Sequence, residues 1–306
     1  MFYRYPGLPT LVRSRMKALH KTLFFLFIAA YTVLGWAHPD PQATDNSAWW
    51  DKDWWQKGAI AAPRNYEVTT RETSYMNGDI EVPVLIYRPK QAGRFPGVLF
   101  VHGRPGLVKD IKRLALWVAA RGFVVYAPDL YFGRDIDPRP IEHDYILEED
   151  LSKGLDHMMT QKDIEGEKVC VYSHTRGGYY SLKLAVSKKR QDDKLACYVS
   201  YYPHWQDPNA AEPLQVYSYA NEADDLKIPS LVFYGDEEQY QRRRVIETAA
   251  ENMRKKGRPV QLVMYPGVQR GFDFRPERVR IFADDLATKD AVVRAARFMR
   301  LHLDSK

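Results

Sequence analysis

Six residues, Ser173-His174-Thr175-Arg176-Gly177-Gly178, stand between an apolar run at 168–173 and a helix-forming stretch at 179–188. Strand, sharp turn and helix in that order lift the tip residue, Thr175, above a sheet, where its side chain meets whatever enters from solvent. The turn brings its flanking backbones close together, so small residues are needed two before and two after the tip, and Ser173 and Gly177 meet that need. The N-terminal end of the helix lies beneath the tip and favours negative charge there. A side chain so placed attacks carbonyl carbon once a neighbouring base takes its proton. Threonine fits poorly, because its hydroxyl pKa is high and its extra methyl crowds the turn.

Four further segments follow the order of one known architecture. Val101-His102-Gly103-Arg104-Pro105-Gly106-Leu107 comes after the first parallel strand, and Ala127-Pro128-Asp129-Leu130-Tyr131-Phe132-Gly133-Arg134 ends the next. Ile228-Pro229-Ser230-Leu231-Val232-Phe233-Tyr234-Gly235-Asp236-Glu237-Glu238 reads as an acid-bearing strand end, and Tyr265-Pro266-Gly267-Val268-Gln269-Arg270-Gly271-Phe272 as a loop after the last strand. With these segments the chain resembles the dienelactone hydrolase family over about residues 66–303. The resemblance implies an α/β-hydrolase fold and a Cys or Ser, His and acid triad that attacks an ester or lactone. Carried over position by position, the nucleophile is Thr175, the histidine position holds Arg270, and the acid is Glu238, with Asp236 as fallback. The backbone N–H groups of Arg104 and Arg176 take the oxyanion role. Gly103 stands where many members carry a glutamate that helps to activate the nucleophile.

Arg270 cannot be the base, since a guanidinium stays protonated and offers donors only. Positioned acid and base groups supply about 10² to 10⁴-fold in rate, and this set lacks the base. Two other histidines are candidate substitutes: His204, at a strand end beside the same pocket, and His174, next to the tip. His102 reads as a structural imidazole, and His143 and His157 have no metal-ligand spacing, so no metal or cofactor is expected. Arginines beside a helix N-terminus suit a carboxylate or phosphate better than a neutral ester. The expected ligand is thus a small anion, with a salt bridge from Arg270 to Glu238 as the alternative use of that arginine. An active hydrolase working through Thr175 with an unconventional base is the competing expectation. Arg242-Arg243-Arg244 is expected to be only the solvated face of a helix.

The elements that must hold these residues follow from periodicity. Stretches 66–74 and 80–87 flank Met76-Asn77-Gly78-Asp79, a hairpin signal in which the Asn-Gly pair takes positive φ. Apolar runs at 97–102, 123–127, 168–173, 195–202, 228–234 and 260–265 alternate with helical stretches, the pattern of a mostly parallel sheet covered on both faces. Leu107, Ile111, Leu114 and Val118 share one helical face, and Val292, Ala296, Met299 and Leu303 another, within 107–121 and 282–303. Segments 132–141 and 203–223 fit neither element and are expected to border the site as lids or walls.

Residues 1–37 carry Arg4, Arg13, Arg15, Lys17 and Lys21 ahead of an apolar core with Gly35 and Ala37 behind it, a signal-peptide pattern. Export to the periplasm or outside the cell is expected, with a membrane anchor the alternative if the leader stays uncleaved, and translation starting at Met1 or Met16. Subtracting those five charges from the formal +6 leaves +1, so no nucleic-acid footprint remains. Residues 38–64 hold Trp49, Trp50, Trp54 and Trp55, expected as an arm against the 65–306 domain or as a surface for a protein partner. Cys170 and Cys197 fall in core strands; buried free thiols are the expectation, and a disulfide the alternative.

Overall fold

The computed structural model describes residues 66–303. The leader, the Trp-rich arm and their boundaries at 37 and 64 lie outside the described residues. In chain order the elements are β1 Val68–Asn77, β2 Ile80–Pro89, β3 Phe95–Val101, α1 Lys109–Ala119, β4 Val124–Pro128, α2 Ile146–Met159, β5 Ile164–His174, α3 Gly177–Ala185 and α4 Arg190–Asp193. They continue with β6 Leu195–Tyr201, α5 Glu212–Tyr217, α6 Glu222–Asp225, β7 Ser230–Gly235, α7 Tyr240–Lys255, β8 Val260–Tyr265 and α8 Phe282–Leu303.

The strands form one sheet in the order β1-β2-β4-β3-β5-β6-β7-β8. Pairings β1 with β2 and β2 with β4 are antiparallel, and all later ones are parallel. β3 sits between β4 and β5, so the order reverses at the middle of the sheet, where ligands of open α/β folds bind at the strand C-termini. The central strands read as unbroken apolar runs because helices cover both faces, and β4, β6 and β7 are buried almost throughout. Along α1, Ile111, Leu114 and Val118 are buried as the spacing requires.

The hairpin turn differs in one detail from its sequence signal. Asn77 pairs with Ile80, so the turn residues are Gly78 and Asp79, and of these only Gly78 takes a positive φ, +60°. Asn77 keeps extended backbone and donates its side-chain amide to Asp150 at 2.7 Å, which ties the hairpin to α2.

The cysteines also differ from the expectation of free thiols. Cys170 of β5 and Cys197 of β6 are direct partners in the parallel register, 4.7 Å apart at Cα, and form a disulfide. Register decided this: a slip of one residue would have sent the two side chains to opposite faces of the sheet.

Candidate active site

The strand C-termini deliver the residues of interest to one concavity. Arg104 follows β3, Thr175 follows β5, His204 follows β6 and Arg270 follows β8, and all four line a cavity of about 380 Å³. Thr175 is the tip of the turn between β5 and α3. Its φ is +49°, a left-handed conformation that costs a β-branched residue roughly 1–2 kcal/mol. The turn is held by Thr175 N–H donating to Tyr201 O at 3.1 Å and by Thr175 O accepting from Gly178 N and His204 N at 3.0 and 2.8 Å. Gly177 is obligatory, since a Cβ there would lie 2.7 Å from the carbonyl oxygens of Val101 and His102.

The Thr175 hydroxyl is buried and has no hydrogen-bond partner among the described residues. It sits over Gly103, where a Cβ would come within 1.8 Å of Oγ1. The threonine side chain therefore occupies the room that any side chain at position 103 would need, and the two departures from the family pattern are sterically one. Among the described residues no acceptor lies within hydrogen-bonding reach of the hydroxyl to take its proton. Arg270 instead donates from Nη1 to Glu238 Oε2 at 3.1 Å, with the guanidinium 5.3 Å from the Tyr202 ring centroid. The Glu238 side chain is fully buried, and its other oxygen accepts from Gln239 N–H at 3.0 Å. Asp236 is engaged elsewhere, its carboxylate accepting from Gly267 N–H at 2.6 Å and holding the loop that carries Arg270.

The candidate substitute bases separate. His174 is wholly buried, packs on Phe100, Tyr172 and Tyr201, and binds Asp273 through Nε2 at 2.9 Å. Asp273 also accepts from the Tyr202 hydroxyl. That pair belongs to the layer beneath the turn, and His174 does not line the cavity. His204 does line it, and its Nε2 is buried and unpartnered. Burial first, then Arg242, Arg270 and Arg176, push its pKa well below 6.5, so the ring is neutral. Among the described residues no carboxylate orients it in the manner of a triad histidine. His102 is the structural imidazole expected, bonded to Gly103 O at 2.9 Å and accepting from Leu130 N at 3.1 Å. No group of three or more metal-ligating side chains occurs among the described residues.

The backbone N–H groups of Arg104 and Arg176 donate to none of the loop and cap hydrogen bonds of the described residues, as oxyanion donors require. Their side chains hold the segment after Arg134. Arg104 donates to Pro140 O and Arg139 O, and Arg176 to the carbonyls of Pro140, Ile141 and Glu142, at 2.8–3.2 Å. Segment 132–141 is thus a lid clamped by two guanidiniums, and 203–223 forms a wall that contributes His204 and positions α5.

Arg242 is a correction to the sequence reading. It lines the cavity, donates to Gln215 Oε1 at 3.3 Å, and leaves Nη1 buried without a partner. Burial, with Arg270 and Arg176 adding and Glu238 opposing, pushes its pKa down to about 10. Its neighbours do follow the solvated reading: Arg243 pairs with Glu247, and Arg244 lies over Tyr217. The missed signal was register, since Arg242 is four residues before buried Ile246 on the apolar face of α7. Arg139 was missed too, and it completes a lining of five arginines with no acidic residue.

A dienelactone hydrolase family profile matches residues 82–303, more than half of the chain. The chain belongs to the dienelactone hydrolase family. A protein of Aquifex aeolicus named "Putative carboxymethylenebutenolidase" is 26% identical over 201 residues, 63% of this chain and 82% of that protein. Chlorophyllase type 0 of Chenopodium album is 28% identical over 137 residues, 40% of this chain and only 38% of the chlorophyllase. Among solved structures, brefeldin A esterase, a bacterial homologue of human hormone-sensitive lipase, superposes with a TM-score of 0.63 at 16% identity and covers 88% of each chain. Such neighbours share the α/β-hydrolase fold, which the strand order and the turn at Thr175 display here.

Proposed function

We propose that this family member is an exported, catalytically degenerate dienelactone-hydrolase-like protein that binds a small anion in the arginine-lined cavity above Thr175. The observation that carries the reading is the Arg270 to Glu238 ion pair at the family's histidine and acid positions, beside a threonine hydroxyl with no acceptor. The ion pair fills the place of the proton relay and realises the alternative use of Arg270, so the positive charge of the cavity comes from Arg104, Arg139, Arg176 and Arg242, none of which pairs with a carboxylate among the described residues. Half-buried Arg242 adds a guanidinium with no ion-pair partner among the described residues, and the start of α3 adds its N–H groups. A carboxylate or a phosphate meets these donors. Export is supported by the leader pattern of residues 1–37 and by a disulfide of the kind that persists in oxidising compartments.

The test is a pair of measurements on the mature protein. Phosphate and simple carboxylates are expected to raise its Tm in a saturable way, and Arg242→Gln with Arg270→Gln to abolish the rise; no rise with any anion would end the binding reading. Aryl esters and a dienelactone are expected to show no turnover above buffer. Turnover lost in Thr175→Ala would overturn degeneracy and establish the second reading, an ester or lactone hydrolase in which neutral His204 serves as the base. The double change Thr175→Cys with Arg270→His is expected to gain esterase activity if only those two groups are missing.

A further inference from the structure

The cavity above Thr175 is larger than the anions that its charge alone would select. Its volume, about 380 Å³, is that of roughly a dozen waters at ~30 Å³ each in the liquid. An acetate or a phosphate fills only a fraction of that space, and the rest admits a body attached to the anionic head.

Depth sorts the lining. Thr175, Arg176 and His204 are buried and form the floor, while Arg104, Arg139 and Gln239 are exposed and form the mouth. Arg242, Pro105 and Phe274 are half-buried, between the two. A head finds its donors at and just above the floor, in the guanidiniums of Arg176 and Arg242 and the N–H groups at the start of α3.

The apolar surface lies higher. Pro105 comes off the end of β3, and Phe274 packs beside Tyr202 at the end of β6, with ring centroids 6.2 Å apart. β5, which leads into Thr175, runs between β3 and β6, so the two apolar side chains stand on either side of the tip. Phe274 is seated on Gly271, where a Cβ would come within 3.2 Å of its ring. A body that leaves the floor passes between Pro105 and Phe274 and then meets Arg104 and Arg139 at the mouth. A phenyl ring and planar guanidiniums both favour a π system over a saturated body as their neighbour. A carboxylate conjugated to a ring lies in the plane of that ring, so head and body enter such a slot as one flat unit.

We propose that the anion taken by this cavity is an aryl carboxylate, its head on Arg176 and Arg242 and its ring between Pro105 and Phe274. The proposal rests on the anion reading above and adds the ligand's body to it.

The experiment is calorimetric titration of the mature protein with benzoate, cyclohexanecarboxylate, acetate and benzamide. Benzoate is expected to bind saturably and about tenfold or more tighter than acetate, from the apolar surface that the ring buries. Cyclohexanecarboxylate has like charge and size but no π face, and is expected to be about threefold or more weaker than benzoate. Benzamide keeps the ring without the charge, and is expected to be about tenfold or more weaker. Phe274→Leu keeps apolar bulk and removes the π face, so the ratio of benzoate to cyclohexanecarboxylate affinity is expected to fall to about one. If that variant does not fold, the comparison of the four ligands on the unaltered protein still decides. Acetate or cyclohexanecarboxylate bound as tightly as benzoate, or an unchanged ratio in folded Phe274→Leu, would overturn the proposal and leave the anion reading standing. Benzamide bound as tightly as benzoate, or no binding of any anion, would overturn both.

Discussion

Arg242 and His204 both line the cavity, one a half-buried cation and the other a neutral ring, and each has a measurable consequence. A guanidinium whose pKa falls to about 10 on folding is less stable charged in the folded chain than in the unfolded one, so at neutral pH its charge opposes folding. Arg242→Met is expected to raise the Tm of the ligand-free protein by roughly 2–4 °C, from about 1 kcal/mol, while weakening anion binding. His204 gives the pH dependence. Its folded pKa lies well below 6.5, so below pH 6.5 the unfolded chain takes up a proton that the folded chain refuses, and stability falls with pH. The slope is about 1.4 kcal/mol per pH unit for one proton, and His204→Gln should remove that share from a series of urea melts between pH 6.5 and 5. The share owed to His102, shifted the same way by burial, remains. Of these residues the sequence announced Thr175, Arg270 and Glu238 through motif position and His204 through its strand end. Arg242 was obscured because three adjacent arginines look like a solvated face until the helical register says which one turns inward.

At the level of elements, the turn at Thr175 was legible because its requirements are local: a strand, a strained tip, and Gly177 where the backbones of β3 and α3 meet. Gly103→Ala should cost about 1–3 kcal/mol in chemical denaturation, because its Cβ collides with Thr175 Oγ1 and with His174 O. Combining it with Thr175→Gly removes the first collision only, so recovery should be partial. The lid is a different case. Segment 132–141 showed itself only as a stretch without periodicity, and its conformation depends on distant partners: Arg104 and Arg176 hold its carbonyls, and just beyond its end Asn209 of the wall holds His143. Arg176→Ala should therefore speed amide hydrogen exchange in 139–143 while leaving α3 protected. Unchanged exchange there would mean that the guanidinium does not hold the lid.

For the whole molecule, hydrophobic periodicity was enough to give a mostly parallel sheet opened by a hairpin, because each strand's burial is written in its own residues. The pairing of Cys170 with Cys197 was not, since it rests on the register between β5 and β6, which no single stretch records. A thiol assay on the unfolded, unreduced protein should find no free cysteine, and reduction should cost about 2–4 kcal/mol through the release of a loop closed over 27 residues. Both sulfur-bearing residues are wholly inaccessible in the folded chain. Once the sheet has closed over them, neither glutathione nor an oxidant reaches the bond without unfolding the protein. The oxidation state is thus set while the chain folds and is then carried unchanged, a molecular record of the compartment in which this protein was made.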